Sequence, residues 1–178
     1  MWLIRFLVVC ILAACHTNVN STAQSGLISA NQLYQQGLIE MRSGDKEAAI
    51  HYFRQVIEID DDFAKAQGAI GTLYLQMGGL EAAERHLQQA IALDDRMEQA
   101  HLNLAYLYRQ THRIPRAVEI YQRLLQMPPD QKISSSTRIG THVGLGAIYH
   151  QAKSFEKAIA AYQKALELSP RMVSVMTN

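Results

Sequence analysis

Seven histidines, two cysteines and a run of three aspartates are the side chains in this 178-residue chain with an obvious capacity for metal binding or catalysis. Zinc sites draw on Cys and His at short fixed spacings, and a helical His-Glu-x-x-His pair presents two imidazoles on one face. Neither arrangement occurs. His101 and His142 hold equivalent places in different structural units, which sets them apart in space and makes them packing or surface residues. Asp60-Asp61-Asp62 lacks the glycine and closing glutamate of a calcium loop and reads as a solvated turn. There is no Gly-x-Ser-x-Gly elbow, no phosphate-binding Gly-Lys-Ser/Thr loop and no Gly-x-Gly-x-x-Gly after a strand, since Gly144 and Gly146 lie on a helical stretch. The expectation is a protein with no catalytic residues, no metal and no cofactor.

The cysteines carry a different chemistry. Cys10 and Cys15 both fall in the first 15 residues, so the rest of the chain has no thiol for a disulfide or a nucleophile. Residues 1–14 read as a targeting segment: Arg5 gives the positive charge, and Phe6 to Ala14 is apolar but too short to span a bilayer. Leu12-Ala13-Ala14-Cys15 resembles a bacterial lipobox. That resemblance implies cleavage before Cys15, with a diacylglyceryl group on its sulfur and an acyl group on its nitrogen. Multiple chains anchor stably, at about 0.8 kcal/mol per buried methylene. His16 stands where an aspartate often marks inner-membrane retention in such lipoproteins, which points to the outer membrane, facing the periplasm. Residues 15–29 then form the lipidated cysteine and a polar tether, whose 14 residues after Cys15 average roughly 20 Å end to end.

The rest of the chain must supply the working surface. Apolar residues make up 48% of the sequence, enough for a core, and the net charge of +1 gives no electrostatic case for nucleic acid. From residue 30 a pattern of small and large residues recurs every 34 positions: Gly37, Gly71 and Ala105, then Gly146 after a seven-residue insertion. Each is followed by a second set, Ala49 with Phe53, Ala83 with Leu87, Ala117 with Tyr121 and Ala158 with Tyr162. Two helices joined by a short turn approach closely only where one side offers little bulk. A fixed period of this length marks a helical repeat array.

The pattern resembles the tetratricopeptide repeat, a helix–turn–helix unit of 34 residues. The implied fold is an all-α superhelix of four units, 30–63, 64–97, 98–131 and 139–172, with an insertion at 132–138 and a tail at 173–178. The insertion either lengthens a loop or extends the next helix backward. In the first unit Gln36 and Glu40 replace apolar residues of the signature, as suits a terminal unit with a wetter face. Asp45 is placed to cap the second helix, and Pro115 falls in an opening helical turn where its missing N–H does no harm. Few residues follow the fourth unit, so its last helix, with Tyr162 and Leu166, is expected to keep an open apolar face suited to a partner or a second copy.

By the same resemblance the first helix of each unit lines a concave groove that takes a protein or peptide ligand. The groove-facing residues are then Tyr34, Leu38 and Met41 in the first unit, with Asn31 and Arg42. The second gives Lys65, Thr72 and Leu75, with Gln76. The third gives Leu102, Tyr106 and Arg109, with Gln99 and Gln110. The fourth gives Val143 and His150, with Ala147 and Gln151. Members that grip a C-terminal carboxylate use a Lys/Asn/Arg set, three of whose places are filled here by Tyr34, Leu38 and Ala69. Such a groove suits an amphipathic helix or an extended apolar peptide. Lipid-anchored proteins of this architecture include type IV pilus factors of the PilF/PilW group and adaptors that recruit peptidoglycan-processing enzymes. The resemblance therefore implies a non-catalytic envelope scaffold, with the pilus assembly role first and the adaptor role as its rival.

Overall fold

Helix α1 spans Ala30–Ser43, and the chain reverses through Gly44 into α2, Lys46–Ile59. Three further hairpins follow: α3 (Ala64–Met77) with α4 (Leu80–Leu93), α5 (Glu98–Gln110) with α6 (Ile114–Gln126), and α7 (Ser135–Gln151) with α8 (Phe155–Leu168). The structure, a computed structural model, describes residues 29–127 and 133–169, and among these there is no strand. The fold is the expected all-α repeat superhelix. The leader, Cys15 and all of the tether but Ser29 lie outside the described residues, as do positions 128–132 and 170–178 with the C-terminal tail. Among the described residues no helix is long and apolar enough to cross a membrane.

Local chemistry sets the helix ends. Ser29 closes a capping box with Gln32: the Gln32 N–H donates to Ser29 Oγ at 3.3 Å, and the Ser29 N–H to Gln32 Oε1 at 2.9 Å. Asp45 caps α2 as expected, accepting from the Ala48 N–H at 2.9 Å. The first two turns reverse through left-handed glycines, Gly44 at φ 93° and Gly78 at φ 79°. The last two place His112 and Lys153 in the left-handed region instead, each at φ 57°.

Each hairpin closes on a small residue. A Cβ added to Gly37 would lie 2.6 Å from the Phe53 ring, and one on Gly146 would lie 2.6 Å from the Tyr162 ring. Gly71 faces Leu87 in the same way, at 2.8 Å. The core runs on from unit to unit. Leu33, Phe53, Val56, Ile70 and Leu73 fill its first part, and Leu87, Leu104, Leu107, Tyr121, Leu145 and Ile148 its second, with Tyr74 packed against both. The wetter face of the first unit is present too, where Gln36 Nε2 donates to Glu40 Oε1 at 2.9 Å.

Curvature follows from which helices touch. First helices of neighbouring units pack together, α3 against α5 and α5 against α7, while second helices do not meet to the same extent. An array close-packed along one row and splayed along the other bends toward the close-packed row. The first helices therefore form the inner face.

The insertion is used to extend a helix. α7 begins at Ser135, inside 132–138, and runs 17 residues where the other helices have 13 or 14. Ile133 is buried just before it, and Ser134 caps it, accepting from the Thr137 N–H at 3.2 Å. Glu98, at the start of α5, holds this corner. Its carboxylate accepts from the Ser134 N–H at 2.9 Å and from Ser134 Oγ and Thr137 Oγ1 at 2.7 Å each. Burial pushes the Glu98 carboxyl up, but the side-chain bonds from Ser134 and Thr137 and the Ser134 backbone bond outweigh it and hold the group below its ordinary value of 4.5. A depressed carboxyl stabilises fully above about pH 4.5 and loses that contribution as the pH falls through its lower folded value. Glu98→Ala is expected to cost about 1–2 kcal/mol at neutral pH. In urea unfolding the gap between wild type and variant should close as the pH is taken well below 4.5; a gap that stays constant would show that Glu98 acts through packing alone.

Candidate functional site

Among the described residues, two cavities lie on the inner face. The first, about 240 Å³, is formed by α1, α3 and the start of α5. Its apolar wall includes Tyr34, Leu38, Met41 and Met97; Lys65, Thr72 and Gln99 supply its polar edge, and Gly68, Ala69 and Ala100 complete the lining. Tyr34 is held in place by Phe53 and Phe63, with ring centroids at 5.4 and 5.1 Å, and burial pushes its hydroxyl pKa up. The second cavity, about 260 Å³, lies between α5 and α7. Leu102, Tyr106 and Val143 line it with Arg109 and Asn103, and the α6 residue Tyr121 enters it where Gly140, Gly144 and Ala147 leave room. A polar ridge separates the two: Gln99 Nε2 donates to Asn103 Oδ1 at 2.9 Å, Asn103 Nδ2 to Thr72 Oγ1 at 2.8 Å, and Thr72 Oγ1 to the Gly68 carbonyl at 2.8 Å.

Nine of the eleven residues singled out for the groove line one cavity or the other. Two line neither. Leu75 is half-buried and packs against the second part of the core. His150 is exposed at the end of α7, its ring edge-on to Phe155 with centroids 5.8 Å apart. The cavities also contain residues that the groove register did not yield. Gly68 and Gly140 stand at groove positions but have no side chain to suggest contact. Tyr121 belongs to a second helix. Asn103 is one place off the register and is drawn in by its bond to Thr72.

The outer face presents a different set. A cavity of about 350 Å³ lies among α4, α5 and α6 and includes His101, Arg116 and Arg123. His101 is buried and donates through Nε2 to the Asp95 carbonyl at 2.9 Å. Burial lowers its pKa, and the Asp95 hydrogen bond opposes that only in part. This is a satisfied packing histidine. Asp60 to Asp62 form the turn between α2 and α3. Among the described residues no group of three or more His, Cys, Asp or Glu side chains is arranged to hold a metal ion.

Family profiles described as tetratricopeptide repeat match residues 33–63, 69–132 and 141–172. The chain belongs to the tetratricopeptide repeat family. Proteins with these repeats are protein-interaction scaffolds, and the fold is typically non-catalytic. A search of curated proteins finds no match. Among solved structures, the chain is similar to MamA, with a TM-score of 0.70 and 21% identity over 87% of this chain and 86% of that one. It is also similar to BtubC from P. vanneervenii, with a TM-score of 0.68 and 20% identity over 80% of this chain and 64% of that one. PilF of Pseudomonas aeruginosa gives a TM-score of 0.68 and 26% identity, covering 79% of this chain and 61% of that one. In this tetratricopeptide repeat protein the inner face is thus a mostly apolar surface whose two described cavities each carry a few polar groups, an arrangement suited to gripping side chains.

Proposed function

We propose that the protein is a lipid-anchored scaffold of the bacterial envelope that holds a component of a multiprotein assembly in its inner groove, with type IV pilus or secretin assembly as the first candidate. The observation that carries this is the pair of cavities along the first helices, where apolar and aromatic side chains stand open to a ligand. Tyr106 and Val143 are each 40% exposed although both line the second cavity, so they are available for contact. The lipobox at Leu12–Cys15 supports membrane attachment, and the likeness to PilF supports the pilus setting. The apolar positions Phe155, Ile159 and Tyr162 on α8 are exposed as well, at 52%, 56% and 36%, and offer a second surface for a partner or another copy.

The test is a crosslinked co-purification of the lipidated protein alongside the variant Leu102→Glu with Tyr106→Glu, whose fold is checked by circular dichroism. Secretin or pilus components captured by the wild type and lost from the folded variant are the expected result. Cell-wall hydrolases lost instead would replace the pilus role with that of an adaptor. Partners retained by the variant would move binding away from the groove. Loss of the mature amino-terminal acyl groups in a Cys15→Ala variant, read by mass spectrometry, tests the anchor separately. Once a partner is in hand, Tyr106→Ala is expected to weaken it by more than about 1 kcal/mol. Its unfolding midpoint should stay unchanged, because the ring is 40% exposed.

A further inference from the structure

The charges of the array are not evenly divided between its faces. The four outer helices α2, α4, α6 and α8 carry seven Asp or Glu and seven Lys or Arg. The four inner helices carry two acids, Glu40 and Glu98, against four cations, Arg42, Lys65, Arg109 and Arg138. Neither acid faces a groove cavity: Glu40 is bonded to Gln36, and Glu98 to Ser134 and Thr137. Each groove cavity has a single cation in its lining and no carboxylate, Lys65 in the first and Arg109 in the second.

Arg109 is the more constrained of the two. Its guanidinium lies over the Tyr106 ring, 5.1 Å from the centroid. Its Nε is buried and has no hydrogen-bond partner, the Tyr121 hydroxyl is the polar side-chain group the guanidinium approaches, and among the described residues no carboxylate pairs with it. A desolvated guanidinium donor left unmatched is costly, and the group that best satisfies it is a carboxylate, which a guanidinium can meet with two parallel bonds. The opposite ion pair in this protein shows what a matched arginine looks like: Arg113 lies over Tyr108 at 4.4 Å and also meets Glu84 at 2.7 Å. Arg109 has the ring and lacks the acid.

We propose that the second groove cavity receives an Asp or Glu side chain of the partner, flanked by a bulky apolar residue, with Arg109 as the counter-charge and Leu102, Tyr106 and Val143 as the apolar seat. The inference rests on the groove being the binding surface and adds the chemistry of what it takes. A phosphorylated residue is disfavoured because a dianion calls for several cations and this cavity has one. A chain terminus is disfavoured because two cavities lie along the same face. The set that grips a terminal carboxylate is also incomplete, with Tyr34, Leu38 and Ala69 in three of its places and Arg109 as the one cation lining the second cavity.

The full chain is used to select binders from a phage-displayed library of random peptides, and the winners are resynthesised. The expected outcome is a shared acidic residue beside Leu, Phe or Met. Replacing that acid by its amide should weaken binding to the wild type about tenfold, or about 1.4 kcal/mol. The same replacement should have no effect on binding to Arg109→Gln, and Arg109→Lys should keep part of the preference. Peptides that need the groove, being lost with Leu102→Glu and Tyr106→Glu, yet show no acid preference or keep it in Arg109→Gln, would overturn this inference and leave the groove reading intact. Selection that yields no groove-dependent peptide would overturn both.

Discussion

Phe53→Ala is expected to destabilise the protein by about 3–5 kcal/mol, the range for removing a fully buried aromatic ring. Phe53 has no exposed surface. It fills the space opposite Gly37, touches the Tyr34 ring, and lies in the part of the core that joins the first unit to α3. Repeat arrays hold together chiefly through neighbour contacts, so a terminal unit that loses its core can open before the rest. The expected readout in urea is either a lower midpoint or a separate early transition, with proteolysis concentrated in residues 30–63. Ile39 on α1 is 53% exposed, and Ile39→Ala should stay within about 0.5 kcal/mol of wild type. Equal losses from the two substitutions would mean that the first unit does not close on Phe53. The change has a functional arm as well. Tyr34 is supported on one side by Phe53, so the first groove cavity should lose its wall along with the core.

Phe53 also shows what is legible in the sequence. The alternation of Gly37, Gly71 and Gly146 with Phe53, Leu87 and Tyr162 is a contact pattern written at a fixed spacing, and the structure places each pair in contact. The helix order follows from the same period, the Asp45 cap follows from that residue's type at the start of a helix, and nine of the eleven groove residues that the family resemblance implies line the two cavities. What the period could not supply lies where one unit departs from the others. The backward extension of α7 depends on Ile133 finding a buried place and on Ser134 and Thr137 reaching Glu98, three partners more than 30 positions apart in sequence from α5's first residue. Leu75 stands in the register of Arg109 but packs inward, because its short apolar side chain has a core to join and no charge to keep it out. Glycines at groove positions escape a reading by side-chain type, which gives weight to what is present. In a cavity the missing side chain is what makes the space.

Gly144→Ala is expected to reverse the usual sign of a glycine-to-alanine change within a helix. In an open helix interior alanine is favoured by about 1 kcal/mol. Here a Cβ at position 144 would lie 2.5 Å from Tyr121 Oη, and Tyr121 is 2% exposed and has little room to swing away. The third unit has Ala105 where the other units have glycine, and its Tyr121 lies against Gly144 of the next unit. Overpacking of this kind costs about 1–3 kcal/mol. The second unit suggests the rescue, since Leu87 fills the same register with a shorter side chain. In the background of Gly144→Ala, Tyr121→Leu should recover part of the lost stability, although Tyr121→Leu alone is expected to be destabilising. A four-member cycle of urea midpoints measures that coupling, and strictly additive losses would falsify the contact as the cause. Because Tyr121 and Gly144 both line the second groove cavity, the same cycle read with a groove-binding peptide separates two effects. Stability should return in the double variant, while the cavity, now without its tyrosine wall, should keep a weakened grip. The pair therefore joins neighbouring units and shapes the surface between them through a single contact.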